Sequence, residues 1–288
     1  EWKTAVEEGR KGKLSGFYRE GKTVGRGAFG EVCEAVCRES GERFAVKMMR
    51  KPVNATPEQK KFYMREVKIS SRVNHPNIVR AVDIFDTSSR IAIVMQLYEG
   101  GTLLDVMQAA TPAALPESHA AQCIRDILRG LRYLHRMKIV HRDLKPGNIL
   151  CRSSTPPYSC VIADFGMSCF LDRELRHYSA VGTVPYMPPE MLASDPDKFG
   201  TSVDVWSTGV ILFNLLTGCY PFSGDGDADT KRRILESDVW QLELDHMSPA
   251  AGDLLRRLLD RNPASRLGVD EALEHPFLKE AAAAKAER

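Results

Sequence analysis

The residues that decide the fold of this chain read HRDLKPGN at 141–148 and DFG at 164–166. Asp143 is a candidate base, while Asn148 and Asp164 offer the hard oxygen atoms that Mg2+ prefers among protein ligands. This spacing predicts the transfer of a phosphoryl group from a magnesium nucleotide onto a hydroxyl group. A lone loop aspartate often caps a turn, but this set of functional residues is too constrained in spacing for a chance match.

Two lysines are candidates to meet phosphate charge. Lys145 follows Asp143 by two residues and would neutralise charge that develops on the transferred phosphoryl group. Lys47 ends an apolar strand pattern, where the common alternative is a surface lysine on an edge strand. Glu66 lies on a predicted helix, and an ion pair with it would direct the Lys47 ammonium towards the α- and β-phosphates. The pair is more specific than either residue alone.

A glycine-rich segment, VGRGAFGEV, occupies residues 24–32. Glycines allow the backbone to approach phosphates closely and to present amide N–H donors. Three glycines also serve an ordinary hairpin, so the segment alone is weak support. A dinucleotide-binding fold would place a helix after the loop, but a strand pattern follows at 31–36. The candidate phosphate-binding residues are Val24, Gly25, Arg26, Gly27, Ala28, Phe29, Gly30, Glu31 and Val32.

Composition predicts a soluble globular protein. The chain has 288 residues, of which 43% are hydrophobic and 27% charged, and no apolar run reaches the ~18 residues that span a bilayer. A formal net charge of +2 argues against nucleic acid or membrane as a main partner. Seven cysteines without metal-ligand spacing fit a reducing interior, so we expect a cytoplasmic location, with the nucleus also open. The first residue is Glu1 rather than Met, which predicts a fragment of a longer protein.

Periodicity predicts an α+β protein with a β-rich first third and a helical remainder. Strand patterns cover 17–25, 30–37, 43–49, 78–85 and 91–97. Helical patterns cover 56–73, 117–137, 202–216, 231–236, 249–259 and 269–273. The predicted organisation is an N-terminal extension at 1–16, one catalytic domain at 17–278 and a tail at 279–288, with an N-lobe at 17–97, a hinge at 96–101 and a C-lobe at 102–278.

Taken together, these motifs resemble the eukaryotic protein kinases, and the match runs from about residue 17 to 278. The resemblance implies a bilobal protein-kinase-like fold that binds ATP and Mg2+. It also implies that Met95 is the gatekeeper, that Gln96 and Tyr98 belong to the hinge that bonds adenine, and that Val32, Ala45 and Leu150 enclose the adenine ring. By the same resemblance Glu190 pairs with Arg266, and Asp204 anchors the catalytic loop.

Lys145, together with Thr183 in the GTVPY segment at 182–186, resembles the serine/threonine branch of the family. Met167 is a large unbranched residue directly after the DFG triplet, which in the family accompanies a preference for serine. The expected partners are therefore protein substrates. The alternatives are a pseudokinase that acts as a scaffold or allosteric partner, and a kinase for small molecules.

The hinge residues 99–101 and the segments at 262–263 and 275–277 resemble the calcium/calmodulin-dependent kinase group. Thr102 and Gly147 stand where that group often has glutamate, and a basic run at 231–233 stands where an acid is common. Without those carboxylates a substrate arginine loses its charge-assisted partners. We therefore expect weak selectivity for arginine upstream of the phosphorylated residue.

Regulation is expected at the segment after the DFG triplet. Arg142 could bind a phosphorylated residue there, and Ser179 is the best-placed acceptor for an upstream activating kinase. The alternative is that neither Ser179 nor the neighbouring Tyr178 is modified. Calcium or calmodulin control is expected only through segments that this chain does not contain.

Overall fold

A computed structural model of the chain describes residues 13–27, 30–51, 54, 56–110, 114–171, 182–193, 199–237 and 247–279. The chain divides into two compact units after Tyr98. Within the described ranges, no helix has both the length and the apolar character needed to cross a membrane.

The first unit is built on a five-stranded antiparallel sheet in the order β1-β2-β3-β5-β4. Its strands are β1 (Tyr18–Gly27), β2 (Gly30–Cys37), β3 (Arg43–Arg50), β4 (Ala81–Asp86) and β5 (Arg90–Gln96), and its helices are α1 (Leu14–Phe17) and α2 (Pro57–Ser70). All five predicted strands therefore form, with boundaries shifted by up to three residues.

The alternation of side chains along β3 explains how the sheet packs. Val46 joins a buried cluster with Leu14 and Tyr18 on one face. Met49 lies on the opposite face, where Tyr63 and Val67 of α2 pack against it. Because side chains alternate along a strand, Lys47 shares the face of Met49 and is directed towards the helix that carries Glu66.

Helix α2 begins where the sequence predicts it. The Thr56 hydroxyl accepts a hydrogen bond from the Gln59 backbone at 3.2 Å, and the Gln59 side chain accepts one from the Thr56 backbone at 2.9 Å. This reciprocal capping box satisfies two N–H groups that the first helical turn leaves unpaired. Pro57 occupies the first helical position, where its missing N–H costs nothing.

Gly30 is required by the sheet itself. Its φ is +146°, and a Cβ built there would lie 2.1 Å from the carbonyl oxygen of Met48 in β3. No side chain could fit against that backbone. The last glycine of the glycine-rich segment therefore has a structural role apart from any ligand.

The second unit is mainly helical. Its helices are α3 (Leu103–Ala109), α4 (Glu117–Arg136), α5 (Pro189–Leu192), α6 (Ser202–Thr217), α7 (Asp227–Glu236), α8 (Pro249–Leu258) and α9 (Val269–Leu273). Short strands pair as β6 (Ile139–Val140) with β9 (Cys169–Phe170) and as β7 (Ile149–Cys151) with β8 (Cys160–Ile162), and 3-10 turns cover Pro146–Asn148 and Val184–Tyr186. Helices α4 and α6 form the centre of this unit: α6 is buried along nearly its whole length, and α4 buries the predicted apolar stripe.

The start of α7 differs from the prediction. The basic run at 231–233 was expected to open this helix, but the helix begins at Asp227 after Gly226. Asp227 and Asp229 occupy its first turn, where negative side chains interact favourably with the helix dipole. Asp229 accepts hydrogen bonds from Arg232 and Arg233 further along the helix. The predicted C-terminal tail lies outside the described residues except for Lys279.

A buried ion pair joins α5 to the segment before α9. Arg266 donates to both carboxylate oxygens of Glu190, at 2.7 and 2.9 Å, and its guanidinium lies 5.1 Å from the ring centroid of Trp206. It also donates to the Ser202 carbonyl oxygen at 2.9 Å. Both charged side chains are buried, so each depends on the other for solvation.

Removal of the Glu190 charge should destabilise the second unit strongly. Glu190→Gln leaves the Arg266 guanidinium buried without a counter-charge, which costs about 3–5 kcal/mol of the free energy of unfolding. Urea denaturation of the variant measures that loss. The matched control is Glu274→Gln, which breaks an exposed pair with Lys279 and should change the unfolding midpoint little. Equal effects of the two substitutions would contradict the central role of the buried pair.

Candidate active site

Three predicted catalytic residues meet in the second unit. The Lys145 ammonium lies 2.9 Å from Asp143 Oδ2 and donates to Thr183 Oγ1 at 2.7 Å. The Thr183 hydroxyl donates in turn to Asp143 Oδ1 at 3.1 Å. A cation and a hydroxyl group thus hold both oxygens of one carboxylate, which fixes its orientation.

Asn148 joins the same network through its amide nitrogen. Nδ2 donates to the Asp143 carbonyl oxygen at 2.8 Å and to Asp143 Oδ2 at 3.0 Å. Both amide hydrogens are thereby used, and within the described part of the chain Oδ1 accepts no hydrogen bond. The amide therefore presents its oxygen, the atom that a hard cation prefers.

The β7–β8 hairpin brings Asn148 and Asp164 to the same end. Asn148 directly precedes β7, and its carbonyl oxygen accepts a hydrogen bond from the Ala163 N–H at 2.9 Å. Asp164 follows Ala163, has a φ of +62°, and accepts a hydrogen bond from the Gly166 backbone at 3.0 Å. Backbone in this region is uncommon for residues other than glycine and is often found at functional sites.

A buried carboxylate on α6 holds the loop that carries Asp143. Asp204 Oδ2 accepts a hydrogen bond from the His141 N–H at 3.0 Å, and Oδ1 accepts one from the Arg142 N–H at 2.8 Å. His135 Nε2, at the end of α4, lies 2.9 Å from Asp204 Oδ2. Arg142 has a φ of +68°, so the two bonds hold the loop in a conformation that its sequence alone does not favour.

The environment of Asp204 favours its charged form. Burial by itself raises the pKa of this carboxyl group, but the hydrogen bond and charge of His135 and the bond from the His141 backbone outweigh it, and the pKa is lowered from its usual value of 3.8. Hydrogen bonds to a carboxylate have this effect because they are lost on protonation.

In the first unit, Lys47 and Glu66 form the expected pair. The ammonium lies 2.5 Å from Glu66 Oε1, and both side chains are buried. On the same sheet Lys47 lies opposite Val32, and Ala45 lies opposite Met95. Gln96 ends β5, and its amide oxygen accepts a hydrogen bond from the Tyr98 hydroxyl at 3.2 Å. Leu150 belongs to the second unit, in β7, where it pairs with Thr102.

Several predicted residues lie outside the described part of the chain. These are Ala28 and Phe29 of the glycine-rich segment, and Tyr178 and Ser179 after the DFG triplet.

Comparison with known proteins agrees with this geometry. The family described as the protein kinase domain matches residues 18–278. Myosin light chain kinase A of Dictyostelium discoideum is 36% identical over 267 residues, which are 91% of this chain and 88% of that protein. Calcium/calmodulin-dependent protein kinase type I of Schizosaccharomyces pombe is 35% identical over 274 residues, 91% of this chain and 78% of the relative. The type IV enzyme of Homo sapiens is 34% identical over 278 residues, 95% of this chain but 56% of the relative.

The chain belongs to the protein kinase family. The predicted serine/threonine type and the resemblance to the calcium/calmodulin-dependent group are confirmed by these relatives. The relatives give no support to the pseudokinase alternative. Protein kinases as a family use ATP and Mg2+.

Sequence reasoning missed one member of the kinase's site. His135 contacts Asp204 although 69 residues separate them in the chain. In the sequence His135 is one residue of a helical pattern and belongs to no motif. The available signal was its position in the last turn of α4, a few residues before the catalytic loop.

Protonation of Asp204 at low pH should weaken its hydrogen bonds to the loop that carries Asp143 and destabilise the kinase. Because the pKa of Asp204 is lower in the folded state, its stabilising contribution is present above pH 3.8 and is lost as the pH falls through the folded value. In Asp204→Asn this contribution is absent at every pH. Urea titrations between about pH 5 and pH 3 should therefore show a steeper loss of stability in the parent kinase than in the variant. Parallel curves would show that Asp204 is not the titrating group.

Proposed function

We propose that Asp143 is the base through which this kinase transfers the γ-phosphoryl group of ATP to a serine or threonine hydroxyl of a protein. The observation that carries the proposal is the convergence of Lys145 and Thr183 on the two oxygens of its carboxylate. A carboxylate held in this way can orient an incoming hydroxyl group and accept its proton as the phosphoryl group is transferred.

The neighbouring residues divide the remaining tasks. Lys145 neutralises charge on the transferred group, and Thr183 holds Lys145 and Asp143 in register. Asn148 and Asp164 are the proposed magnesium ligands, a role supported by the amide oxygen that Asn148 presents and by the hairpin that joins the two residues. Bound Mg2+ would bridge phosphate oxygens and offset their charge.

Nucleotide-binding residues are proposed for each unit separately. In the first unit these are the glycine-rich segment from Val24 to Val32, the ion-paired Lys47 with Glu66, and the adenine-binding residues Ala45, Met95, Gln96 and Tyr98. In the second unit Leu150 is the proposed adenine contact. The buried Lys47–Glu66 pair supports this assignment because it fixes an ammonium in the place expected to meet phosphates.

The test is phosphorylation of matched serine and threonine peptides by the parent kinase and by Asp143→Asn. The amide keeps the shape of the side chain but cannot accept the proton, so kcat should fall by about 10²–10⁴-fold. From Met167 we expect the serine peptide to give the higher kcat/KM. Equal phosphorylation by the two proteins would refute the role of Asp143, and equal kcat/KM for the two peptides would refute the serine preference.

We also propose that arginine upstream of the phosphorylated residue contributes little to substrate binding. Gly147 brings no carboxylate to the catalytic loop, and Lys231 adds a positive charge to α7. One nearby acid is Asp105, whose carboxylate accepts hydrogen bonds from the Thr102 backbone and hydroxyl, both at 2.7 Å. These bonds occupy one of its oxygens in capping α3.

A glutamate at position 147 should create the missing arginine preference. A Cβ at Gly147 meets no atom within 4 Å, so the loop can take a side chain there without displacement. Gly147→Glu should raise kcat/KM selectively for peptides with upstream arginine, because a charge-assisted bond is worth about 1.5–3 kcal/mol. Gly147→Gln, of equal size without charge, is the matched control. A strong arginine requirement in the parent kinase, measured with a peptide library, would contradict the proposal.

We propose that the kinase is regulated by phosphorylation in the segment after the DFG triplet. Ser179 is the proposed acceptor for an upstream activating kinase, supported by the position of Arg142 in the catalytic loop. Two of the relatives are calcium/calmodulin-dependent by name, and we propose that any such control acts through segments outside this sequence. A cytoplasmic or nuclear kinase domain at 17–278 is proposed, supported by seven cysteines that form no disulfide.

A further inference from the structure

Three buried thiols have no part in the proposed mechanism. Cys151 ends β7, Cys160 begins β8, and Cys123 lies on α4. Cys160 lies opposite Cys151 in the strand pairing, and Cys123 and Cys151 both raise the pKa of its thiol. Two thiols that meet the geometry of a disulfide can be joined by oxidation, which small apolar core residues cannot.

Cys151 and Cys160 face each other as a cross-strand pair. In the same ladder the Ala163 N–H bonds to the Asn148 carbonyl oxygen and the Arg152 N–H bonds to the Ser159 carbonyl oxygen. Hydrogen-bonded and non-hydrogen-bonded pairs alternate in an antiparallel ladder, so the two cysteines form a non-hydrogen-bonded pair. The Cα atoms of such pairs are about 4.5 Å apart, which is within the range of about 4.4–6.8 Å that a disulfide spans.

The backbone hydrogen bonds of both cysteines agree with this register, because they go to other segments and not to the facing strand. The Cys151 N–H donates to the Gly101 carbonyl oxygen at 2.8 Å, and the Cys151 carbonyl oxygen accepts a hydrogen bond from the Gly100 N–H at 3.1 Å. The Cys160 N–H donates to Asp126 Oδ2 at 3.0 Å. The backbone groups of the two cysteines are therefore directed away from each other, and those of Cys151 hold the segment predicted to be the hinge.

The backbone of Gly100 packs closely against the backbone of Cys151 and Ser153. A Cβ on Gly100 would lie 2.5 Å from the Cys151 carbonyl oxygen and 2.5 Å from the Ser153 carbonyl carbon. A shift of the Cys151 backbone must therefore be passed on to Gly100 and Gly101. Leu150, the proposed adenine contact, is the residue directly before Cys151.

The pair is buried, but it lies at the outer end of the hairpin. Beyond the pair lie Arg152 and Ser159, then Ser153 and the buried Tyr158, and then an exposed loop at 154–157. The ends of strands next to exposed loops open locally at a lower free energy than the centre of a unit. A small oxidant can reach the thiols when this end opens, without unfolding of the unit.

We propose that Cys151 and Cys160 form a reversible disulfide in the presence of a peroxide, and that the disulfide lowers the affinity of the kinase for ATP. The Cys151 thiolate attacks one peroxide oxygen, the O–O bond breaks, and Cys151 becomes a sulfenic acid while the leaving hydroxide takes up the thiol proton. The Cys160 sulfur then attacks the Cys151 sulfur, the S–S bond forms, and the sulfenic oxygen leaves as water with the Cys160 proton. Two thiols lose two electrons, the peroxide gains them, and a dithiol reductant reverses the reaction.

The order of attack follows from the thiol environments. The hydrogen bond from Cys160 lowers the pKa of the Cys151 thiol, although burial opposes it. Hydrogen bonds to Cys123 and Cys151, together with burial, raise the pKa of Cys160 well above its usual value. The thiolate is the nucleophile, so Cys151 reacts first and Cys160 resolves the sulfenic acid. The strand pairing selects Cys151 rather than Cys123 as the partner of Cys160.

The test combines a peptide map with kinetics on the full chain. The kinase is treated with hydrogen peroxide, its remaining thiols are alkylated, and the non-reduced digest is analysed by mass spectrometry for a peptide that links Cys151 to Cys160. The KM for ATP is measured before oxidation, after oxidation, and after dithiothreitol. The same measurements are made on Cys160→Ala and Cys160→Val, which lack the resolving thiol, and on Cys219→Ser, which lacks the exposed thiol.

We expect the linked peptide and a several-fold, dithiothreitol-reversible rise in the KM for ATP in the parent kinase and in Cys219→Ser. Neither change should occur in a folded Cys160 variant. Absence of the linked peptide in the parent kinase, a link from Cys160 to Cys123 instead, or a linked kinase with unchanged KM would each overturn the proposal. The consequence for ATP rests on the proposed role of Leu150, whereas the peptide map requires no activity, so failure of one can be told from failure of the other.

Discussion

The site depends first on the burial of one carboxylate. Asp204 is fully buried on α6, and an isolated charge there would be prohibitively costly. Three donors replace the lost water: the backbones of His141 and Arg142, and the His135 ring. These hydrogen bonds also position Asp143, because it directly follows Arg142 in the chain. The buried charge of Asp204 and its hydrogen bonds thus fix the position of Asp143, the proposed base.

The β7–β8 hairpin is the second constraint. It connects the proposed magnesium ligands at one end with a pair of thiols at the other. Its inner end holds Asn148 beside Ala163 and therefore places Asp164. Its outer end holds two thiols across the ladder. A hairpin of three-residue strands has little room to absorb a change at one end without a change at the other. The proposed sensitivity to peroxide depends on these short strands. A distortion at Cys151 would affect Leu150 through the adjoining peptide bond and Gly100 through one hydrogen bond.

The residues that the sequence predicts best are those whose roles follow from short spacing. Asp143, Lys145 and Asn148 lie within six residues of each other, and the structure brings them into one network with Thr183. The Lys47–Glu66 pair was predictable from strand alternation together with one helix. His135 and the thiol cluster were not, because each depends on which face of α4 meets a distant segment. The start of α7 was missed because its first turn is acidic rather than periodic in apolar residues.

Helix α4 also makes a buried contact with the C-terminal part of the second unit. Arg125 is buried on it, and its guanidinium donates to the Leu278 carbonyl oxygen, 153 residues later. At the N-terminal end of the helix, Glu117 accepts a hydrogen bond from the Ser248 backbone. During synthesis Arg125 leaves the ribosome long before Leu278, so its guanidinium cannot make this hydrogen bond until the C-terminal part of the unit has emerged. Such distant contacts slow folding, and a chain cut before Leu278 would lose the carbonyl group that accepts the hydrogen bond of the buried Arg125 guanidinium.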